Sequence, residues 1–211
     1  MLAVDSTFAV IDFETTGVVR PWPNEPWQVG LVRIEGGQVK SGGHFESLLR
    51  VGDRPFNPRA PGNHHRVRGQ LAVAPTLQEL WPVMHGWLAG RCLVAHNIGT
   101  ERKMIRHLAP LHQWGPWVDT LKLARIAFPD LGSHTLEDLM EQTGLNGQVQ
   151  AWCPGRQPHD ALYDAYGCAA LLVYMLGLPG WERVTVEQLA HAHPRKFHAK
   201  VSGRRQSRRG L

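Results

Sequence analysis

Residues 8–13 (FAVIDF) form a short run of β-branched and aromatic positions that stops at Thr15, Thr16 and Gly17. That pattern predicts a buried strand. Residues 27–35 (WQVGLVRIE) read as a second strand, Gly36-Gly37 as a hairpin turn and residues 38–49 as the returning strand. Residues 52–75 are rich in proline and glycine with little periodicity, which predicts a loop. Leu77, Leu80, Trp81, Met84 and Leu88 recur at helical spacing, so residues 76–88 are expected to be helical despite Pro82 and Gly86. A short apolar strand follows at residues 92–95, then a helix over 100–108. A strand end at Val118 runs into a helix reaching Phe128, and another helix covers 135–144. The longest helix, over 160–176, carries Leu162, Ala165, Ala169, Leu172 and Leu176 on one face. Hairpin-ordered strands followed by alternating strands and helices imply an α/β domain with a mixed sheet.

At 211 residues the chain suits one domain, and 43% hydrophobic against 19% charged residues predicts a packed core. Its longest apolar run near the C-terminus is far short of the roughly 20 residues of a membrane-spanning helix. The first residues lack the cationic start and apolar stretch of a secretory signal. Three scattered cysteines (Cys92, Cys153 and Cys168) form no CxxC pair, which argues against a disulfide scaffold or a cysteine zinc site. These features together point to a cytoplasmic protein. The net charge of +5 suggests an anionic partner, but it is unevenly placed. Seven basic residues and no acidic one follow residue 194, leaving −2 on residues 1–194. We therefore expect a domain over 1–194 and a basic, disordered tail over 195–211.

The chemistry lies in three segments. Asp12 and Glu14 flank Phe13 at the end of the first strand, so their carboxylates share one face. Two adjacent carboxylates beside a core are costly unless neutralised, and a hard divalent cation such as Mg²⁺ or Mn²⁺ does this; otherwise they face water at a strand end. In VAHNIGTER, a strand ends at His96-Asn97 and Glu101 falls in the first turn of a helix, where the helix dipole favours it. Arg102, Lys103 and Arg106 then line part of that helix, either as phosphate contacts or as a solvated face. In PHDALYDA, Pro158 brings the chain into the long helix, leaving His159 at its mouth, Asp160 as N-cap and Asp164 about one turn inside.

Together these segments closely resemble the DEDD superfamily of 3′-to-5′ exonucleases, which includes the proofreading subunit of bacterial replicative polymerase and ribonuclease T. The first motif matches as VIDFETTG and the third as HDALYDA. Asp119 to Arg125 (DTLKLAR) and His134-Thr135-Leu136 look like the family's linking segment. The resemblance implies a ribonuclease H-like fold with a five-stranded mixed sheet flanked by helices. The family divides by an assisting His or Tyr; His159, five residues before Asp164, assigns the His branch. One position departs: Glu101 stands where the second motif has Asp, and its extra methylene extends the carboxylate by roughly 1.5 Å.

By resemblance, Asp12, Glu14, Glu101 and Asp164 would hold two divalent cations, Mg²⁺ or Mn²⁺, with His159 as general base. Thr15, Thr16 and Gly17 would recognise the terminal sugar, or else simply make the strand-ending turn. Asn97 would contact substrate or cap the helix. The expected reaction is phosphodiester hydrolysis from the 3′ end of single-stranded or frayed DNA, with RNA open, releasing nucleoside monophosphates. The expected partners are nucleic acid and a polymerase or repair protein, with no membrane. The rival reading is a nucleic-acid-binding or polymerase-accessory module of the same fold that Glu101 has disabled. Trp22 and Trp27 lie near the turn and either stack on bases or pack. His64, His65, His191, His193 and His198 lack zinc-site spacing.

Overall fold

A computed structural model describes residues 1–62, 64–193 and 197. Five strands, β1 (Thr7–Thr15), β2 (Pro26–Glu35), β3 (Gln38–Leu48), β4 (Cys92–Ala95) and β5 (Trp117–Asp119), form one sheet in the order β3-β2-β1-β4-β5. The β1–β2–β3 pairs are antiparallel, while β4 and β5 run parallel to β1. The helices are α1 (His64–Val73), α2 (Trp81–Leu88), α3 (Gly99–Leu108), α4 (Thr120–Ala127), α5 (Leu136–Gln142), α6 (Asn146–Trp152), α7 (Ala161–Leu176) and α8 (Val186–Ala190). This is the expected mixed α/β, ribonuclease H-like architecture.

Alternation along β1 builds two cores. Phe8 and Val10 face α7 and the helices around it, whereas Ala9, Ile11 and Phe13 face α2 and α3. Asp12 and Glu14 share the parity of Phe8 and Val10, so the acids emerge beneath α7. Opposite Asp12 in the β1–β2 register stands Gly30. A Cβ there would lie 2.2 Å from the Ala161 carbonyl oxygen. Only glycine lets the first turn of α7 rest directly on β2.

Two expectations change. The stretch predicted as loop contains α1, whose polar sequence (HHRVRGQLAV) buries only Leu71 and so carries almost no amphipathic signal. The helix predicted from Thr76 starts at Trp81, with Pro82 tolerated in the first turn. Thr76 instead makes a reciprocal turn, its amide donating to Glu79 (2.7 Å) and its hydroxyl accepting from the Glu79 amide (3.2 Å). The hydrophobic pattern does not predict α6 and α8. The predicted tail lies outside the described residues except for Phe197, which is buried with its ring 4.9 Å from Trp181. The three cysteines are buried free thiols. Among the described residues, no helix is long and apolar enough to cross a membrane.

Candidate active site

The site forms where β1 outruns β4. Their pairing covers only Phe8–Val10 against Cys92–Val94, so β1 beyond Val10 has an open edge. The N-terminus of α3 and the N-terminus of α7 close over that end from different sides. Asp160 caps α7, accepting from the amides of Leu162 (3.1 Å) and Tyr163 (3.3 Å), as its sequence position predicts. Arg156 grips the same carboxylate at 3.0 and 2.8 Å, and Gln28 of β2 donates to it at 3.2 Å while accepting from the Ala161 amide. These contacts tie the start of α7 to the sheet.

Potential ligand atoms of Glu14, His159 and Asp164 lie within 4.8 Å of one another. His159 has φ +63°, and in this left-handed conformation its amide donates to Asp164 Oδ2 (3.0 Å). Its Nε2 sits 3.0 Å from Glu137 Oε1 of α5. Glu137 therefore braces the imidazole from outside the acidic cluster. Asp12 and Glu101 stand outside the close trio but share its field. Burial, then Asp164, Glu101 and Glu14, hold the Asp12 carboxyl well above the usual range. Burial, then Asp164, Asp160 and Glu101, push Glu14 up to about 8, and burial pushes Asp164 up to about 7.

Glu101 is buried, and burial pushes its carboxyl up to about 7, opposed by hydrogen bonds from its own and the Phe13 backbone. The longer side chain thus folds back on β1. Its Oε2 is buried without a partner among the described residues. A buried orphan carboxylate oxygen beside clustered acids fits a hard cation, as does the oxygen-rich donor set.

The neighbouring residues divide. Thr16 is buried, its amide donating to the Glu25 carbonyl (2.8 Å) and its hydroxyl accepting from the Glu25 amide (3.1 Å). It holds the turn from inside. Gly17 has φ +71°, and a Cβ there would meet Asn57 Cβ at 2.7 Å. Thr15 is partly exposed at the strand end. Asn97 is exposed with φ +64° and does not cap α3, whose N-cap is Ile98. That leaves its side chain at the surface beside the site.

Three supports escaped sequence reasoning. Asp119 accepts from the amides of Asn97 and Leu121, both at 3.1 Å, pinning the β4–α3 loop. His96 Nε2 donates to the His134 carbonyl at 3.0 Å, and Nδ1 lies 3.0 Å from the Thr120 hydroxyl. Gly62 packs at the site, its Cβ position 3.2 Å from the His159 carbonyl and 3.5 Å from Glu14 Oε2. Asp119 and His134 sit in the DTLKLAR and HTL segments, but nothing in their spacing specifies these contacts.

The profile of the exonuclease family, to which ribonuclease T gives its name, matches residues 9–172 and so spans every one of these site residues. This chain belongs to the exonuclease family, within the DEDD superfamily. The exonuclease is 32% identical over 184 residues to exodeoxyribonuclease 10 of Escherichia coli K12, covering 86% of this chain and 72% of that protein. It is 29% identical over 173 residues to a DNA polymerase III subunit epsilon-like protein of Rhodobacter capsulatus, covering 81% of this chain and 24% of the other. Among solved structures it is similar to exonuclease X in complex with 5′-overhanging duplex DNA, with a TM-score of 0.66 and 29% identity over 87% of this chain and 97% of that one.

Proposed function

We propose that this exonuclease hydrolyses phosphodiester bonds at the 3′ end of single-stranded or frayed DNA, releasing nucleoside monophosphates. The observation that carries the reading is the convergence of Glu14, His159 and Asp164 within 4.8 Å at the end of β1, beside Asp12. Without counter-charge such a group of acids is unfavourable, and a structural role gives no reason to build it.

Asp12, Glu14, Glu101 and Asp164 would hold two divalent cations, Mg²⁺ or Mn²⁺. When bound, such ions neutralise phosphate charge and acidify water. The protein's own part is positioning and proton transfer. His159 takes the proton of the attacking water at a ring nitrogen, with Glu137 orienting the imidazole through Nε2. Asp164 fixes the His159 backbone through the amide hydrogen bond. Thr15, Gly17 and Asn97 would contact the terminal nucleotide, while Thr16 and Asp119 hold the adjoining turn and the β4–α3 loop in shape. The DNA in the exonuclease X complex supports nucleic acid as the partner; a polymerase or repair protein is the proposed protein partner.

The test is incubation with 5′-labelled DNA and RNA strands of matched sequence in Mg²⁺ or Mn²⁺, alongside Asp12→Ala and His159→Ala. Stepwise 3′ shortening that Asp12→Ala abolishes and His159→Ala lowers by about 10²–10⁴-fold is expected. Retained but unshortened strands with the wild-type protein would sink the proposal and favour a binding module. Glu101→Asp then shows whether the folded-back carboxylate tunes metal use.

A further inference from the structure

The turn after the catalytic strand carries an exposed aromatic ring that the hydrolytic site does not use. Trp22 is 47% exposed and Val18 65%, although both belong to a tightly held turn. The Trp22 amide donates to the Val19 carbonyl (2.7 Å), the Asn57 amide to the Thr16 carbonyl (2.8 Å) and Asn57 Nδ2 to the Val18 carbonyl (3.2 Å). The Arg54 guanidinium lies 5.7 Å from the Trp22 ring, anchored by Glu25 at 3.3 Å. Arg54 Nη1 is buried without a hydrogen-bond partner among the described residues. Arg68 reaches back to the Arg54 carbonyl (3.0 Å) and covers Phe56. Arg20, Arg59 and Arg68 have no carboxylate within salt-bridge distance among the described residues, and the acids of residues 16–25 and 50–70 are only Glu25 and Asp53. The same segment touches the site through Gly62, against Glu14 and His159.

An exposed indole on a hydrogen-bonded turn, with the Arg54 guanidinium beside it and with Arg20, Arg59 and Arg68 in the same two segments, has the character of a base-stacking platform with phosphate contacts. We propose that the turn around Trp22, together with residues 54–62 and 64–68, forms a binding site for unpaired nucleic acid. Trp22 stacks on one base, and Arg20, Arg59 and Arg68 contact phosphates of the same strand. The site rests on the nuclease reading only for its purpose, because binding can be measured without hydrolysis.

The experiment is equilibrium binding of a short oligothymidylate to the full-length protein in EDTA, read by tryptophan fluorescence and repeated across salt concentrations. Trp22→Ala should weaken binding about tenfold, and Trp22→Phe should keep most of the affinity while losing part of the quench. Replacing Arg20, Arg59 and Arg68 together by Ala should lower the slope of log affinity against log salt by about 2, at ~0.7 per phosphate contact. Unfolding curves identify any variant that fails to fold; Trp22→Phe then carries the test through its quench. Unchanged affinity and slope in folded variants would overturn the site, as would equal, Trp22-independent binding of a blunt duplex. Wild-type protein that binds through Trp22 yet shortens no strand in Mg²⁺ or Mn²⁺ would remove the hydrolytic reading and leave this site standing.

Discussion

At the Glu14 carboxyl, burial and three neighbouring acids (Asp164, Asp160 and Glu101) act in the same direction and push it up to about 8. Glu101 and Asp164 rise to about 7. In the unfolded chain all three titrate near 4. The metal-free folded protein therefore keeps protons that the unfolded chain has already released. The stability these three groups contribute is full below about pH 4 and is lost as pH rises through about 7 to 8. A divalent cation replaces those protons, so its stabilising effect grows with pH. Melting temperature in EDTA should drop between about pH 5 and pH 8, and Mn²⁺ should raise it more at the higher pH. A metal-free protein equally stable at both values would mean that the acids are not crowded together as described.

At the scale of elements, the position of α7 decides whether the acids meet, and Gly30 decides the position of α7. A methyl group there would meet backbone atoms, the Ala161 carbonyl at 2.2 Å and the Leu162 amide nitrogen at 2.6 Å, which cannot step aside cheaply. Gly30→Ala should destabilise by ~1–3 kcal/mol through overpacking and move Asp164 away from Asp12, weakening Mn²⁺ binding. Gly86→Ala in α2 meets nothing within 4 Å and should stabilise by ~0.5–1 kcal/mol, as expected in a helix interior. Urea unfolding and Mn²⁺ titration of the pair test this; a harmless Gly30→Ala would detach site geometry from the β2–α7 contact. The Asp12/Glu14 spacing and the Asp160 cap were legible because strand parity and capping are local rules. Gly30 was silent because a glycine within a strand does not say what approaches it. Glu137, Asp119 and His96 were silent too, since each acts across elements far apart in the chain. The helix α1 stayed hidden because its exposed face is nearly its whole surface.

At the scale of the whole molecule, the chain's positive charge and its packed body meet near Phe197. That ring is buried beside Trp181. Five of the seven terminal cations (Lys200, Arg204, Arg205, Arg208 and Arg209) follow it and lie outside the described residues. The two contributions can be separated by where the chain is cut. Truncation after residue 194 removes the Phe197 contact and should cost ~1.5–3 kcal/mol, the value of burying such a side chain. Truncation after residue 198 spares that contact, so unfolding should match the intact protein. It removes up to five phosphate contacts, so the salt slope for long single strands should fall by as much as about 3.5. If short strands engage only the end of β1 and the proposed site around Trp22, their turnover should change far less. Equal loss on long and short strands would mean that the terminal cations act at the site itself rather than as a sequence-independent tether.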